Sequence, residues 1–373
     1  MCFERIAIVG ANVRHVALSA TRAGFRVWAF DGFLDRDLLA MCEQAFDFED
    51  MGTALTRADA LVKEGVCDCL LVASGIETHP IPGGVRMPLN PPLDAIRRAA
   101  DKCGLFWVLS ELDIPTPELL TPQHAHYPAV VKPRFGAGGR DVTVVYSDEQ
   151  LRRAMRAIAS TGAEPIVQQL VEGVRISASV VATRDGAKTV CLNEQLCGEP
   201  FLHAPHLRYC GNISPISCHR QRRIERLAEL VCEELGLLGS CGVDFVVGDE
   251  PWVIEVNPRF QGSLDTVEEA LGVSIFRAHV DAILGREIKL ATSRSGVWAR
   301  GIYHTPVDVV VGDEPFFDEG LKSGTLRDVP RVGTHMPEGE PLVSLMAHGS
   351  SREQAMRRLM ELSAHVDALV GFI

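Results

Sequence analysis

Several absences narrow the function of this 373-residue chain. There is no excess of positive charge, since the formal net charge is −12. We therefore expect neither nucleic acid nor a membrane as a partner, because both favour basic surfaces. No apolar run reaches the roughly 18–20 residues that cross a bilayer. The segment Met1–Val9 shows no basic-then-apolar leader, so a cytoplasmic protein is expected.

Metal-binding and dinucleotide-binding motifs are also missing. The eleven cysteines are an odd number, and Cys67 and Cys69 lack the second pair that a zinc site needs. The twelve histidines include no His-x-x-x-His pair on a convincing helix. The first βα turn keeps one glycine, Gly10, of the three in a dinucleotide fingerprint, so NAD or FAD is not expected there, although Asp31 follows the second strand.

What is present is a mixed α/β and α+β pattern. Residues 1–90 alternate between apolar strands and amphipathic helices, which predicts a parallel sheet covered by helices. Strands are predicted at Ile6–Val9, Arg26–Phe30, Ala45–Phe48 and Cys69–Ala73, and helices at Val13–Ala23, Arg36–Cys42 and Thr53–Lys63. A proline-rich connector, residues 80–92, ends this unit.

The rest of the chain predicts smaller α+β units without an internal repeat. Helices are predicted at Leu93–Cys103, Leu105–Leu112, Asp148–Ser160, Gln221–Leu235 and Ser351–Leu369. Strands are predicted at Pro128–Lys132, Asp141–Tyr146, Pro165–Gln169, Ile176–Thr183, near Val297–Val311 and at Pro341–His348.

Residues 244–259 carry the strongest functional signal. They predict two strands joined by a turn at residues 248–251, with Asp244 on the first and Glu255, Asn257 and Arg259 on the second. Alternation puts the last three on one face, and the apolar residues Val253, Ile254 and Val256 are expected on the other. Two carboxylates and an amide suit Mg²⁺, which is commonly shared with substrate phosphates. An arginine beside them can grip a phosphoryl or carboxylate oxygen.

A second signal is a strand that ends in a glycine-rich loop. Lys132 lies at the base of this loop, which contains Gly136, Gly138 and Gly139. Such a loop can offer backbone N–H groups to a triphosphate. Only six of the 37 basic residues are lysine, which makes a lysine at this place notable. The loop is no Walker motif, because Gly-Lys-Ser/Thr is absent.

The order of these parts resembles the ATP-grasp superfamily over about residues 1–290. The resemblance implies that Lys102 and Lys132 contact the nucleotide, and that Asp244, Glu255 and Asn257 bind the metal. Arg259 and Lys132 are then the catalytic residues, at the reacting phosphoryl group. ATP is bound by the two lysines, the loop glycines and a hinge segment against adenine and ribose, comprising Gln168, Gln169, Leu170 and Glu172.

Within the superfamily, the chain resembles predicted ATP-dependent carboligases of archaea and methylotrophic bacteria, a group related to biotin carboxylase. The phrases that carry this similarity are residues 73–77, 193–196, 209–213 and 337–349. Gln169 replaces the usual hinge acid, and Arg175 stands where many ligases have a ribose-binding glutamate. These two replacements affect the expected contact with ribose and the preference for ATP over other nucleotides.

The resemblance implies an ATP-grasp fold in four parts. These are a Rossmann-like pre-ATP-grasp domain, a small subdomain with the glycine-rich loop, a large subdomain with the magnesium site, and a small β-rich C-terminal region with a helix. Their expected bounds are 1–92, 93–184, 185–290 and 291–373. A homodimer is a possible assembly, since dimers are common among relatives.

The implied activity is that of a ligase. ATP with Mg²⁺, or Mn²⁺ in its place, converts a carboxylate to an acylphosphate, and an amine then forms the amide with release of ADP and phosphate. Cofactor biosynthesis is the suggested setting. Glu77, Tyr209 and Asn212 are candidates for contacting the small-molecule substrates, with structural roles equally open. The alternatives are a biotin-carboxylase-like carboxylase that uses bicarbonate and a non-catalytic nucleotide-binding regulator.

Overall fold

The N-terminal part is a four-stranded parallel sheet with helices on its faces. The computed structural model describes residues 3–371 except 76, 78, 80, 291, 292, 294 and 295. The strand order is β3-β2-β1-β4. The strands are β1 (Arg5–Gly10), β2 (Arg26–Asp31), β3 (Gln44–Phe46) and β4 (Cys69–Val72), and the helices are α1 (Arg14–Arg22), α2 (Arg36–Met41) and α3 (Met51–Lys63). The predicted α/β alternation is confirmed.

Burial on both faces explains this sheet. Residues 6–9 of β1 are each fully buried, as a strand between two helical layers must be. Asp31, at the end of β2, is also fully buried, and its carboxylate accepts hydrogen bonds from the backbone of Val13, Phe33 and Leu34. It therefore closes the first βα turn.

Two helices connect this sheet to the rest of the protein. They are α4 (Leu93–Ala100) and α5 (Lys102–Glu111). The single helix predicted over Leu93–Cys103 is wrong, because Asp101 has an extended conformation (ψ 100°) and caps α5 by accepting from the Cys103 N–H. Lys102 consequently lies in the first turn of a new helix.

A small antiparallel sheet follows, in the order β5-β8-β6-β7. Its strands are β5 (Leu119–Leu120), β6 (Ala129–Pro133), β7 (Thr143–Val145) and β8 (Pro165–Gln169), and it is covered by α6 (Asp148–Ser160). Helix α6 starts where the sequence predicts, since Ser147 caps it by accepting from the Gln150 N–H. Lys132 is the penultimate residue of β6.

An eight-stranded antiparallel sheet forms the body of the protein, in the order β13-β12-β9-β10-β11-β14-β18-β16. In chain order, the remaining strands are β9 (Val174–Thr183), β10 (Gly186–Cys197), β11 (Tyr209–Ser214), β12 (Gly239–Val247), β13 (Pro251–Asn257), β14 (Val297–His304), β15 (Val309–Val310), β16 (Leu326–Arg327), β17 (His335–Met336) and β18 (Pro341–Gly349). The helices are α7 (Gln221–Glu234), α8 (Leu264–Leu271), α9 (Ile275–Ile283), α10 (Pro315–Ser323) and α11 (Arg352–Val370). Strands β15 and β17 pair separately.

The sheets group the strands differently from the expected divisions at residues 184 and 290. Strand β9 pairs with β10 and β12, so it belongs to the large sheet and not to the small subdomain. Strands β14 and β18 extend the same sheet across the second division. A continuous ladder of backbone hydrogen bonds therefore joins the C-terminal region to the part that carries the candidate site.

A buried ionic cluster joins three parts of the chain. Arg14, in α1, is fully buried and pairs with Asp265 at 2.6 Å and with Asp328 at 2.9 Å. Asp328 also pairs with Arg300 of β14 at 2.8 Å. We name these four residues the Arg14 cluster. A further acid, Asp37, lies 3.5 Å from Arg14.

Within the described residues, no helix is both long and apolar enough to span a bilayer.

Replacing Arg14 with methionine should destabilise the fold strongly. The substitution leaves Asp265 and Asp328 buried without their main counter-charge, which typically costs about 3–5 kcal/mol. Urea unfolding followed by circular dichroism measures this change. The matched control is Arg26→Met, which breaks the exposed pair with Glu43 and should cost about 1 kcal/mol or less. Equal losses in the two variants would contradict the assigned role of the cluster.

Candidate active site

A β-bulge shapes the hairpin formed by β12 and β13. Asp244 lies directly opposite Glu255, but the next pair is Phe245 with Val253, so Ile254 is an extra residue. Val253 is fully buried, whereas Ile254 is only partly buried. The plain alternation predicted for this strand is therefore wrong at Ile254. Bulges commonly re-aim a side chain next to a functional site, and this one brings two carboxylates face to face.

A chain of hydrogen bonds runs along the hairpin. The Asn257 amide Nδ2 donates to Asp244 Oδ2 at 3.0 Å. Arg259 Nη2 donates to Asn257 Oδ1 at 3.2 Å, and Arg259 Nη1 donates to the Phe260 carbonyl at 3.1 Å. The structure thus brings together the four residues that the sequence predicts for the metal and phosphoryl site.

The carboxylate of Asp244 lacks part of what a buried anion needs. Its Oδ1 atom is buried and has no hydrogen-bond partner within the described residues. Burial and the neighbouring charge of Glu255 raise the pKa of Asp244 to about 7, and hydrogen bonds from Asn257 and Gln195 oppose this rise. A divalent cation would supply both the missing partner and the counter-charge.

The donor set fits magnesium shared with phosphates. The described residues contain no cluster of three or more His, Cys, Asp or Glu side chains that could hold a metal by themselves. Two carboxylates and one amide leave several coordination positions open. Mg²⁺ is usually held by one or two carboxylates together with substrate phosphates and water. Asp244, Glu255 and Asn257 are therefore the residues that would hold it.

Two buried lysines lie next to Glu255 of the hairpin. Lys102 and Lys132 are 6% and 5% exposed. Lys102 Nζ lies 3.7 Å from Glu255 Oε2. Burial and the charge of Lys102 lower the pKa of Lys132 to about 8. Two enclosed ammonium groups near Glu255 provide positive charge that suits the oxygens of a polyphosphate.

The glycine-rich loop, residues 134–142, reaches from the small sheet to the large one. The Tyr209 N–H donates to the Gly138 carbonyl at 3.2 Å, and Lys102 Nζ donates to the Gly136 carbonyl at 2.8 Å. Gly139 has a left-handed backbone (φ +70°), and a Cβ there would lie 2.4 Å from the Leu207 carbonyl oxygen. Only glycine allows this approach, so the loop is held against Leu207 and Tyr209 on one side and against Lys102 on the other.

The predicted hinge links the two sheets. Gln168 is buried and donates to the Pro117 carbonyl at 3.4 Å, while Gln169 N–H donates to the Glu118 carbonyl at 2.9 Å. Leu170 is half-buried and Glu172 is exposed. The chain then turns at Gly173, where a Cβ would lie 2.4 Å from the Val247 carbonyl. The hinge segment is thus held against the end of β12, next to the hairpin turn.

The three residues proposed to contact substrate have different surroundings. Glu77 is paired with Arg259. Asn212 is fully buried, and its amide donates to Ser214 Oγ and Thr266 Oγ1. Tyr209 is partly exposed, and its hydroxyl donates to Asn212 Oδ1 at 3.1 Å. Of these, the side chain best placed for a ligand is Tyr209. Ile76, within the phrase 73–77, lies outside the described residues.

Sequence reasoning missed residues that only the fold brings to the site. Gln195 faces Asp244 from β10, although the sequence singles it out only within the phrase 193–196. Arg300 donates to the Gly262 carbonyl at 2.9 Å and so supports the segment just after Arg259. No local pattern points to Arg300, because its partners are distant in sequence. The break between α4 and α5 could have been predicted from Asp101, because aspartate is a residue type that commonly caps the start of a helix.

Asp244→Asn should stabilise the metal-free protein at pH 8. The folded pKa, about 7, lies above the unfolded value of 3.8, so ionised Asp244 destabilises the fold. This penalty grows as the pH rises from about 4 and is complete above about 7. We expect a gain in unfolding free energy on the order of 2–4 kcal/mol at pH 8 and none at pH 4, measured by urea unfolding with EDTA. Asp249→Asn, in the exposed hairpin turn, is the control. Equal stability of Asp244→Asn and the natural protein at pH 8 would contradict a destabilising effect of ionised Asp244.

Comparison with known proteins agrees with this geometry. Residues 99–263 match the ATP-grasp domain family. The chain is 29% identical over 231 residues to the carbamoyl phosphate synthase large chain, C-terminal section, of Methanopyrus kandleri. That alignment covers 57% of this chain and 42% of the relative, so the chain spans less than half the length of this relative.

Solved structures share the fold over nearly the whole chain. Biotin carboxylase from Campylobacter jejuni superposes with a TM-score of 0.73 at 15% identity, covering 96% of this chain and 90% of that one. An L-amino acid ligase from Bacillus licheniformis superposes with a TM-score of 0.71 at 17% identity, covering 97% of each chain. At these identities the likeness concerns the fold. Residues 99–263 thus form an ATP-grasp domain, within a chain that shares its fold with these solved structures over nearly its whole length.

Proposed function

We propose that this protein is an ATP-dependent carboxylate–amine ligase. The observation that carries the proposal is the hairpin cluster of Asp244, Glu255, Asn257 and Arg259, with Lys102 bridging Glu255 and the glycine-rich loop. One face thus combines oxygen ligands for a cation with fixed positive charges for phosphate. An L-amino acid ligase shares the fold over 97% of the chain, which supports a ligase activity for this protein.

The proposed reaction has two steps. A substrate carboxylate oxygen bonds to the γ-phosphorus of ATP, the bond between that phosphorus and the β,γ-bridging oxygen breaks, and ADP leaves. The amine nitrogen then bonds to the acyl carbon. The bond between that carbon and the phosphate oxygen breaks, phosphate leaves with the electron pair, and the nitrogen loses a proton. Such phosphoryl transfer depends on positioning and electrostatic stabilisation, with little need for a covalent nucleophile.

The residues divide these tasks by their position. Lys102 and Lys132 are placed to bind phosphate oxygens, and Arg259 is placed to hold the phosphoryl group or the carboxylate. Mg²⁺, or Mn²⁺ in its place, supplies positive charge at Asp244, Glu255 and Asn257 when bound. The loop glycines offer backbone N–H groups to the triphosphate and exclude water, while the hinge segment offers backbone groups to the adenine ring.

Glu255→Gln and Arg259→Ala should each abolish ADP release while the protein stays folded. Removal of one preorganised charge from such a site costs on the order of 10²–10³ in rate. A coupled assay of ADP release measures the loss, and circular dichroism verifies the fold. The controls are Glu64→Gln and Arg97→Ala, which change an exposed residue directly after α3 and an exposed residue on α4. Near-normal turnover by either site variant would remove that residue from the mechanism.

An ADP-release screen with Mg·ATP tests the type of reaction. Amino acids and other amines are added with carboxylates, each with and without bicarbonate. The proposal predicts release that requires an amine and a carboxylate and does not require bicarbonate. Release that requires bicarbonate and no amine would favour the biotin-carboxylase-like alternative, which the shared fold over 96% of the chain makes the main rival. Tight binding of Mg·ATP without turnover in the whole panel would favour a regulator.

A further inference from the structure

We propose that Glu77 is a positioning residue that holds the Arg259 guanidinium at the reacting end of the site. Glu77 lies in the loop after β4 of the N-terminal sheet, 182 residues before Arg259 in the chain. The inference rests on the proposed function of Arg259. It assigns to the N-terminal domain a direct part in the geometry of the site, carried by this one contact.

The guanidinium of Arg259 is fixed on three sides. Its Nε donates to Glu77 Oε1, its Nη1 to the Phe260 carbonyl and its Nη2 to Asn257 Oδ1. Arginine has five N–H donors in a planar fork. These three bonds leave one donor on each Nη atom, which is the arrangement that binds two oxygens of a phosphoryl or carboxylate group.

Glu77 is the partner that sets the orientation of this fork. The side chains of Glu77 and Arg259 are only 9% and 15% exposed, so water competes weakly with their ion pair. Burial alone would raise the pKa of Glu77, but the charge of Arg259 and their hydrogen bond more than offset this effect and lower it. Glu77 is therefore ionised at neutral pH.

Without Glu77, Arg259 would be drawn toward the metal ligands. The nearest other acids that act on its charge are Glu255 and Asp244. An arginine that turned to these carboxylates would occupy the oxygens meant for a cation and would withdraw its free donors from the substrate. Glu77 thus holds Arg259 away from these two carboxylates, while the bond from Arg259 to the Asn257 amide oxygen remains.

The first test measures anion binding without turnover. Calorimetric titration of inorganic phosphate into the full-length protein, saturated with Mg·ADP, reports on the free donors of Arg259. Glu77→Gln should weaken phosphate binding about tenfold or more, because the fork loses its charged partner. The affinity for Mg·ADP itself should change by about twofold at most, since the nucleotide contacts other residues.

Further variants separate positioning from folding. Glu77→Asp keeps the charge and should restore most of the phosphate affinity. Glu77→Gln combined with Arg259→Ala should bind phosphate no more weakly than Arg259→Ala alone, because Glu77 acts through Arg259. Glu43→Gln, which breaks the exposed pair with Arg26 in the same domain, is the matched control and should have no effect.

The kinetic test uses a substrate pair found by the ADP-release screen. Glu77→Gln should raise the KM for the carboxylate more than it lowers kcat. Unchanged phosphate affinity in Glu77→Gln, or a parallel loss of Mg·ADP affinity, would overturn the inference. If the natural protein releases no ADP with any substrate, the ligase proposal fails, while the phosphate titrations still decide whether Glu77 orients Arg259.

Discussion

The site depends on a half-buried carboxylate, that of Asp244, whose partners are incomplete. Asp244 accepts a hydrogen bond from Asn257, yet its second oxygen has no partner in the part of the chain described here, and Glu255 lies opposite it. Although Lys102 pairs with Glu255, burial and the charge of Glu255 make the ionised form of Asp244 unfavourable without a further cation. The protein therefore accepts a loss of stability at this point, which is how functional sites commonly differ from the rest of a fold.

The remaining structure holds this arrangement rigid. The hairpin lies at one edge of the eight-stranded sheet, and β9 and β10 fix its position from the other side. At the far side of the site, the Arg14 cluster joins the N-terminal domain, α8 and β14. Arg300 extends from this cluster to the Gly262 carbonyl, which lies three residues after Arg259. The contacts that join the N-terminal domain to the large sheet therefore also support the segment after Arg259.

Local structure could largely be predicted from the sequence. The bounds of α6 and β8 agree with the prediction, because Ser147 is a strong cap and β8 is bounded by proline and glycine signals. The four hairpin residues also come together as expected. The bulge at Ile254 could not be predicted, since an apolar residue fits either face of a strand. The break at Asp101 was missed because helical periodicity continues through it.

Contacts between distant segments could not be predicted from one sequence. Strand β9 joins the large sheet because β12, more than fifty residues later, offers it a full ladder of partners. The Arg14 pairs and the contact between Glu77 and Arg259 span still longer separations. These contacts determine which carboxylates are already paired with a cation and which remain available for a ligand. The residues of the site were thus visible in the sequence, whereas their supporting partners were not.

In the proposed function, this hairpin binds a divalent cation together with a nucleoside triphosphate. Crystals grown with Mn²⁺ and a non-hydrolysable ATP analogue test it directly through the anomalous signal of manganese. The account predicts a peak about 2.0–2.2 Å from carboxylate oxygens of Asp244 and Glu255, with the phosphates beneath the glycine-rich loop. Nucleotide bound elsewhere, or manganese absent from these carboxylates, would contradict it.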